Sequence, residues 1–147
     1  MSLACLSGVG GTARMLLFAT VAAFQCPPAS AADPPRTAEI EARKDELMRQ
    51  LAICESGGSG ASDKPIYGGG GAYIGRFQFT VRAVIAYVQQ MDGRVLSAAD
   101  ATALAHDYGQ AAALAKYVIF VRGELANWPG CGSKIGLAKN VAEIKAM

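Results

Sequence analysis

The sequence predicts a small α+β domain that is mainly α-helical, with one short β-hairpin and one disulfide. Three observations support this prediction: apolar residues recur at helical spacing, a glycine-rich stretch ends in aromatic residues, and two cysteines follow an export-like N-terminus. The 147 residues leave room for one folded domain. Charged residues make up 18% and the net charge of +2 is scattered along the chain, so we expect no nucleic-acid partner.

The N-terminus is typical of a secretory signal peptide. Arg14 precedes an apolar run at residues 15–25, and the small residues Ala29, Ser30 and Ala31 follow as a cleavage site. The run is shorter than the about 20 residues that span a bilayer. We therefore predict an exported protein, periplasmic or extracellular, that meets the membrane only during export. An uncleaved anchor remains an alternative.

The predicted organisation is a signal peptide at 1–31, a proline-rich linker at 32–36, a folded domain at 37–133 and a tail at 134–147. A first helix should run from Thr37 to Cys54 and stop near Gly57. The next stretch contains four consecutive glycines at 68–71, which favour a loop that borders a groove. The aromatic-rich segment at 73–79 suits a short hairpin.

Three further helices are predicted, the first two from their capping residues and the last from its apolar residues. Thr80 should cap a helix that ends at Gly93, and Ser97 with Asp100 resembles a capping box for a third helix. An apolar fourth helix at 110–126 is expected at the buried centre of the domain. Residues 127–132 should break the helical pattern, and residues 133–147 suit either a short helix or a frayed tail.

The cysteines favour one disulfide. Cleavage after residue 31 would remove Cys5 and Cys26 and leave Cys54 and Cys131 in an oxidising compartment. The bond would close a loop of about 77 residues, which chain entropy values at roughly 4 kcal/mol. A metal site is the competing interpretation, but these cysteines and the single His106 lack a recognisable zinc-ligand spacing. We expect no metal and no cofactor.

Glu55 is the candidate general acid. It follows an apolar helical turn and faces the negative end of the helix dipole, and both effects favour the protonated carboxyl group. A raised pKa is what a general acid needs near neutral pH. The alternative is that Glu55 merely ends a helix in solvent.

Three ordered motifs resemble the catalytic domain of the resuscitation-promoting factors. They are Cys-Glu-Ser-Gly-Gly at 54–58, Tyr-Ile-Gly-Arg-Phe-Gln-Phe-Thr at 73–80 and Trp-Pro-Gly-Cys-Gly at 128–132. That family is an exported, lysozyme-like and transglycosylase-like group that acts on peptidoglycan. The resemblance covers about residues 40–133 and extends to the lytic transglycosylases more broadly.

The resemblance implies a lysozyme-like fold and assigns roles to particular residues. Glu55 would be the catalytic acid, with Ser56, Tyr73 and Gln78 binding the sugar. Cys54 and Cys131 would form the family's disulfide. The resemblance also implies association with the cell wall. The implied partner is the peptidoglycan glycan strand, cleaved by a monomer between N-acetylmuramic acid and N-acetylglucosamine.

The remaining candidates have simpler interpretations. Asp63 is a possible second carboxylate but is expected to be a solvent-exposed loop charge, so a single-glutamate mechanism is favoured. His106 is expected at a helix boundary, and Trp128 is expected to pack over the disulfide. The family usually has Asn-Trp where this chain has Ser59-Gly60. A module that binds glycan or a protein partner without cleaving it therefore remains the alternative function.

Overall fold

The computed structural model describes residues 34–147, and the predicted signal peptide lies outside this range. These described residues form six α-helices and a small two-stranded antiparallel sheet. The helices are α1 (Pro34–Glu55), α2 (Val81–Asp92), α3 (Ala98–His106), α4 (Tyr108–Lys116), α5 (Pro129–Lys134) and α6 (Leu137–Ala146). Within residues 34–147, none of the helices combines the length and apolarity needed to cross a membrane. The predicted mainly α-helical α+β class is confirmed.

The core forms where α1 and α4 meet. Met48 and Leu51 on α1 and Leu114 on α4 are fully buried. Helices α2 and α3 contact α4, whereas α5 and α6 contact α1. The predicted central position of the apolar fourth helix is therefore confirmed. The N-terminal helix α1 is therefore in contact with the C-terminal helix α6.

The sheet lies earlier in the chain than the aromatic segment suggested. Strand β1 (Tyr67–Gly68) pairs antiparallel with β2 (Tyr73–Ile74), and the glycines between them form the turn. Ile74 forms a further antiparallel bridge with Phe79, so residues 73–79 do contain a hairpin-like turn. The sequence analysis missed β1 because two residues followed by glycines carry no alternating pattern.

The predicted capping residues correctly mark the starts of α2 and α3. The Thr80 side chain accepts a hydrogen bond from the backbone N–H of Ala83, and Gly93 ends α2 in the left-handed conformation. Ser97 caps α3 by accepting from the backbone N–H of Asp100. Both helix starts were predicted from these residues.

The predicted fourth helix at 110–126 is wrong at both ends. It begins at Tyr108 because the Asp107 side chain accepts from the Gln110 N–H, so Gly109 lies inside the first turn. A π-helical turn at Tyr117–Val121 ends it, and Gly123 then adopts a φ of +73°. A left-handed glycine stops a helix, whatever the hydrophobicity of the residues beyond it.

Two further boundaries also need correction. Helix α1 begins at Pro34, so residues 34–36 of the predicted linker form its first turn, where proline is tolerated. Residues 129–132, expected to break the helical pattern, start α5 with Pro129 at its beginning. Of the two alternatives for residues 133–147, a short helix or a frayed tail, the helix is the one observed: α6 buries Leu137, Val141 and Ile144.

The disulfide joins Cys54 in the last turn of α1 to Cys131 on α5, with a sequence separation of 77. The predicted bond is confirmed. It links α1 to α5 directly beside Glu55, and so it fixes the relative position of the two helices that carry the candidate acid and the residues opposite it.

Gly75 is required where β2 approaches α3. Its φ is +72°, and an added Cβ would lie 1.9 Å from the carbonyl oxygen of Ala105. We expect Gly75→Ala to destabilise the domain by about 3 kcal/mol, from backbone strain together with overpacking. Gly70→Ala is the matched control, since Gly70 has a φ of +67° but no neighbour within 4 Å, and should cost about 1 kcal/mol. Equal urea midpoints for the two variants would contradict the close approach.

Candidate active site

Glu55 is the last residue of α1. The helix ends because Gly57 adopts a φ of +64° and the Gly58 N–H donates to the carbonyl of Ile53, which is the pattern of a Schellman motif. The predicted stop near Gly57 is thus confirmed. This ending places the carboxyl group where the helix gives way to the glycine-rich loop.

The environment of Glu55 favours its neutral form. The side chain is half-buried, and burial raises its pKa above the ordinary glutamate value. The ammonium group of Lys134 acts in the opposite direction, but burial is the larger effect. The direction agrees with the sequence-based expectation, and a carboxyl group of this kind can act as a proton donor.

Glu55 opens onto a cleft of about 380 Å³. Its walls combine aromatic, amide and charged side chains with the backbone of the first turn of α5. The lining residues are Glu55, Tyr73, Gln78, Asn127, Trp128, Pro129, Gly130, Cys131 and Lys134. Three residues predicted to act on or bind the sugar therefore line the same cleft: Glu55, Tyr73 and Gln78.

A second cleft, of about 190 Å³, continues from the first toward α2. Tyr73, Gln78, Asn127 and Trp128 line both clefts, and Tyr87 lies at the far side of the second. The two clefts therefore adjoin through these shared residues, and together they are called the groove. Glu55 lines only the first of them.

Tyr73 presents an aromatic face to this groove. Tyr73 is 46% exposed, although it belongs to β2 and pairs there with Gly68. The ring lies over Gly69, where an added Cβ would come within 2.8 Å of it. The neighbouring Phe77 is instead fully buried in the core. Of these two aromatic residues, only Tyr73 is exposed to a ligand in the groove.

Gln78 is held in a strained conformation. It has a φ of +51° and is the only non-glycine residue with a positive φ in the described part of the chain. Its Nε2 donates to the Gly75 carbonyl at 2.8 Å, and its Oε1 packs against Gly68, where an added Cβ would lie 1.8 Å away. Such strain is concentrated at functional sites. The amide is thus fixed in the groove and keeps hydrogen-bonding capacity for a ligand.

Trp128 forms a buried floor beneath the groove. Its Nε1 donates to the Phe77 carbonyl at 2.9 Å, and its ring contacts Phe79 edge to face. The sequence-based expectation was packing over the disulfide, whereas the observed partners are the backbone and ring of the 77–79 segment. This arrangement attaches the start of α5 to the turn that carries Gln78.

Glu55 is the only carboxylate that lines either cleft among residues 34–147. Asp63 instead accepts a hydrogen bond from the Tyr108 N–H at 2.7 Å, at the start of α4. Glu124, which the sequence analysis did not consider, binds the Tyr87 hydroxyl and Arg122, and these contacts lower its pKa. Asp63 therefore has a structural partner outside the cleft lining, whereas Glu124 is bound to Tyr87 of the second cleft without lining that cleft itself.

Ser56 is not placed on the cleft wall. Its side chain is 6% exposed, and its hydroxyl has no hydrogen-bond partner among the described residues. Its backbone N–H donates to Ala52 and so continues the helical pattern past Glu55. The predicted contact with sugar stays a prediction that this geometry does not favour.

His106 and Arg76 hold the loop that precedes β1. His106 Nδ1 accepts from the Ile66 N–H at 3.4 Å, and burial lowers its pKa. Arg76 is 3% exposed and donates to the carbonyls of Ser62 and Lys64. His106 thus lies at a helix end, as expected, and Arg76 is a structural residue that sequence reasoning missed.

No group of three or more His, Cys, Asp or Glu side chains within residues 34–147 is arranged to hold a metal ion. No protein-family model matches this chain, and no match was found among curated proteins or among solved structures.

Proposed function

We propose that this chain is an exported muralytic enzyme that cleaves the glycan strand of peptidoglycan with Glu55 as its single catalytic carboxyl group. The bond cleaved is the one between N-acetylmuramic acid and N-acetylglucosamine. The observation that carries the proposal is the half-buried Glu55: its pKa is raised by burial, and among residues 34–147 it is the only carboxyl group that lines the groove. The three motifs that resemble the resuscitation-promoting factors support it independently.

The arrangement suits a mechanism with one acid. Glu55 donates its proton to the glycosidic oxygen as the bond to the anomeric carbon breaks. A second carboxylate about 5 to 9.5 Å away would serve two-carboxylate glycosidases, but none lines the groove in the described residues. The substrate's own N-acetyl group would stabilise the positive charge that develops on the sugar.

The same Glu55, now ionised, then serves as a base. It accepts a proton either from the sugar's 6-hydroxyl, which closes a 1,6-anhydro ring, or from a water molecule, which gives a reducing end. The lytic transglycosylases that the motifs resemble form the anhydro product. The ring of Tyr73 would pack on a pyranose face, and the fixed amide of Gln78 would hydrogen-bond hydroxyl or N-acetyl groups.

Product analysis tests this proposal. Purified peptidoglycan sacculi incubated with the protein should release soluble muropeptides, and mass spectrometry should assign each an anhydro or a reducing N-acetylmuramic acid end. Either product supports a muralytic enzyme and defines the reaction type. Sacculi that bind the protein but release no product would overturn catalysis and favour the glycan-binding module.

A further inference from the structure

Lys134 shares the cleft with Glu55, although it was not a candidate from the sequence. It lies in the last turn of α5, one helical turn after Cys131, and lines the cleft together with that cysteine. Cys131 is bonded to Cys54, the residue before Glu55. The disulfide therefore fixes the lysine and the acid relative to each other on one cleft.

The ammonium group of Lys134 is available to a ligand. Lys134 is exposed and forms no ion pair within 4 Å with the described residues, in contrast to Lys44 and Lys116. It interacts electrostatically with Glu55, at a distance beyond that of an ion pair. The ammonium group thus keeps its hydrogen-bond donors free.

The charge of the cleft depends on the protonation of Glu55. Glu55 and Lys134 are the only residues lining it, among those described, that carry a formal charge at neutral pH. When Glu55 holds the proton that it donates in the proposed reaction, the remaining charge is the positive charge of Lys134. The cleft in its reactive form is therefore cationic and favours an anionic ligand.

We propose that Lys134 binds a carboxylate carried by the glycan close to the bond that Glu55 protonates, and so selects anionic over neutral glycans. This inference rests on the proposed function. Ammonium–carboxylate hydrogen bonds are charge-assisted and stronger than neutral ones. A peptidoglycan strand offers a carboxylate from two sources: the lactyl group of muramic acid, free where the stem peptide is absent, and the stem peptide itself. A neutral polymer of N-acetylglucosamine offers neither.

Binding measurements on three tetrasaccharides of equal length test this. One contains only N-acetylglucosamine, one carries free lactyl groups, and one carries stem peptides. Titration calorimetry on the Glu55→Gln protein, which holds ligands without turnover, should give about fivefold tighter binding of the anionic ligands, the range of an exposed ion pair. Adding Lys134→Gln should abolish the preference, whereas Lys134→Arg should keep it. The tighter anionic ligand identifies the source of the carboxylate.

The controls separate this inference from the function on which it rests. Lys139→Gln removes an exposed lysine on α6 outside the cleft lining and should leave the preference unchanged. The preference should also weaken at high salt, which a purely structural role of Lys134 would not produce. Release of muropeptides by the wild-type protein, with equal affinities for neutral and anionic ligands, would overturn the role of Lys134 alone. Absence of both binding and products would overturn the function as well.

Discussion

Glu55→Gln is expected to reduce release of soluble muropeptides by roughly 10²–10⁴-fold, the range that one general acid contributes. Glutamine has nearly the same volume and can still form hydrogen bonds, but its amide N–H groups are not acidic enough to protonate the glycosidic oxygen. Because no second carboxylate lines the groove in the described residues, no neighbouring acid is placed to take over. Product release from sacculi under single-turnover conditions is the appropriate measurement.

Glu143→Gln is the matched control, because Glu143 is an exposed glutamate on α6 outside the groove. It should leave product release unchanged. Equal activity of the wild-type and Glu55→Gln proteins would remove Glu55 from the mechanism. Loss of activity in both variants would instead indicate a general sensitivity to lost charge.

The thermal stability of Glu55→Gln separates lost chemistry from lost folding. Burial raises the folded-state pKa of Glu55 above its unfolded value, so its favourable contribution is present at low pH and is lost as the pH rises through the folded pKa. Above that pKa the ionised carboxylate destabilises the fold, and glutamine removes this cost. The variant should therefore melt higher than wild type at neutral to alkaline pH, and the two midpoints should converge in acid.

Replacing both Cys54 and Cys131 by alanine is expected to lower the free energy of unfolding by about 4 kcal/mol, because the bond closes a long loop in the unfolded chain. This is a large part of the 5–15 kcal/mol that stabilises a typical domain. Urea denaturation followed by circular dichroism measures the difference. The wild-type protein under reducing conditions should unfold close to the midpoint of the double variant. An unchanged midpoint in both cases would contradict a stabilising bond.

The fold could be predicted where local signals decide it. The side chains of Thr80 and Ser97 accept from backbone N–H groups three residues ahead, so the starts of α2 and α3 depend on a few neighbouring residues. The fourth helix was placed wrongly because its apolar pattern runs on beyond Gly123, where a left-handed backbone interrupts it. The helix α5 was missed for a different reason: its sequence is rich in glycine, and its position depends on the tertiary contacts of Trp128 and Cys131.

The residues of the candidate site also differ in whether local sequence or tertiary contacts determine their surroundings. Glu55 could be identified from the sequence because its environment comes from its own helix end and the adjoining loop. Lys134 could not, since its proximity to Glu55 depends on α5 and on the disulfide. Ser56 shows the converse case: it adjoins the acid in sequence, but its side chain is buried, so its predicted contact with sugar stays a prediction. The assignment of residues 1–31 as a signal peptide stays a prediction.

Gly68 has a consequence for sequence variation among any relatives of this chain. The amide of Gln78 occupies the space that a side chain at position 68 would need. A larger residue at 68 therefore requires the side chain at 78 to be shorter or to turn away from Gly68. The conformation of a groove residue is thereby coupled to a strand position that carries no side chain of its own.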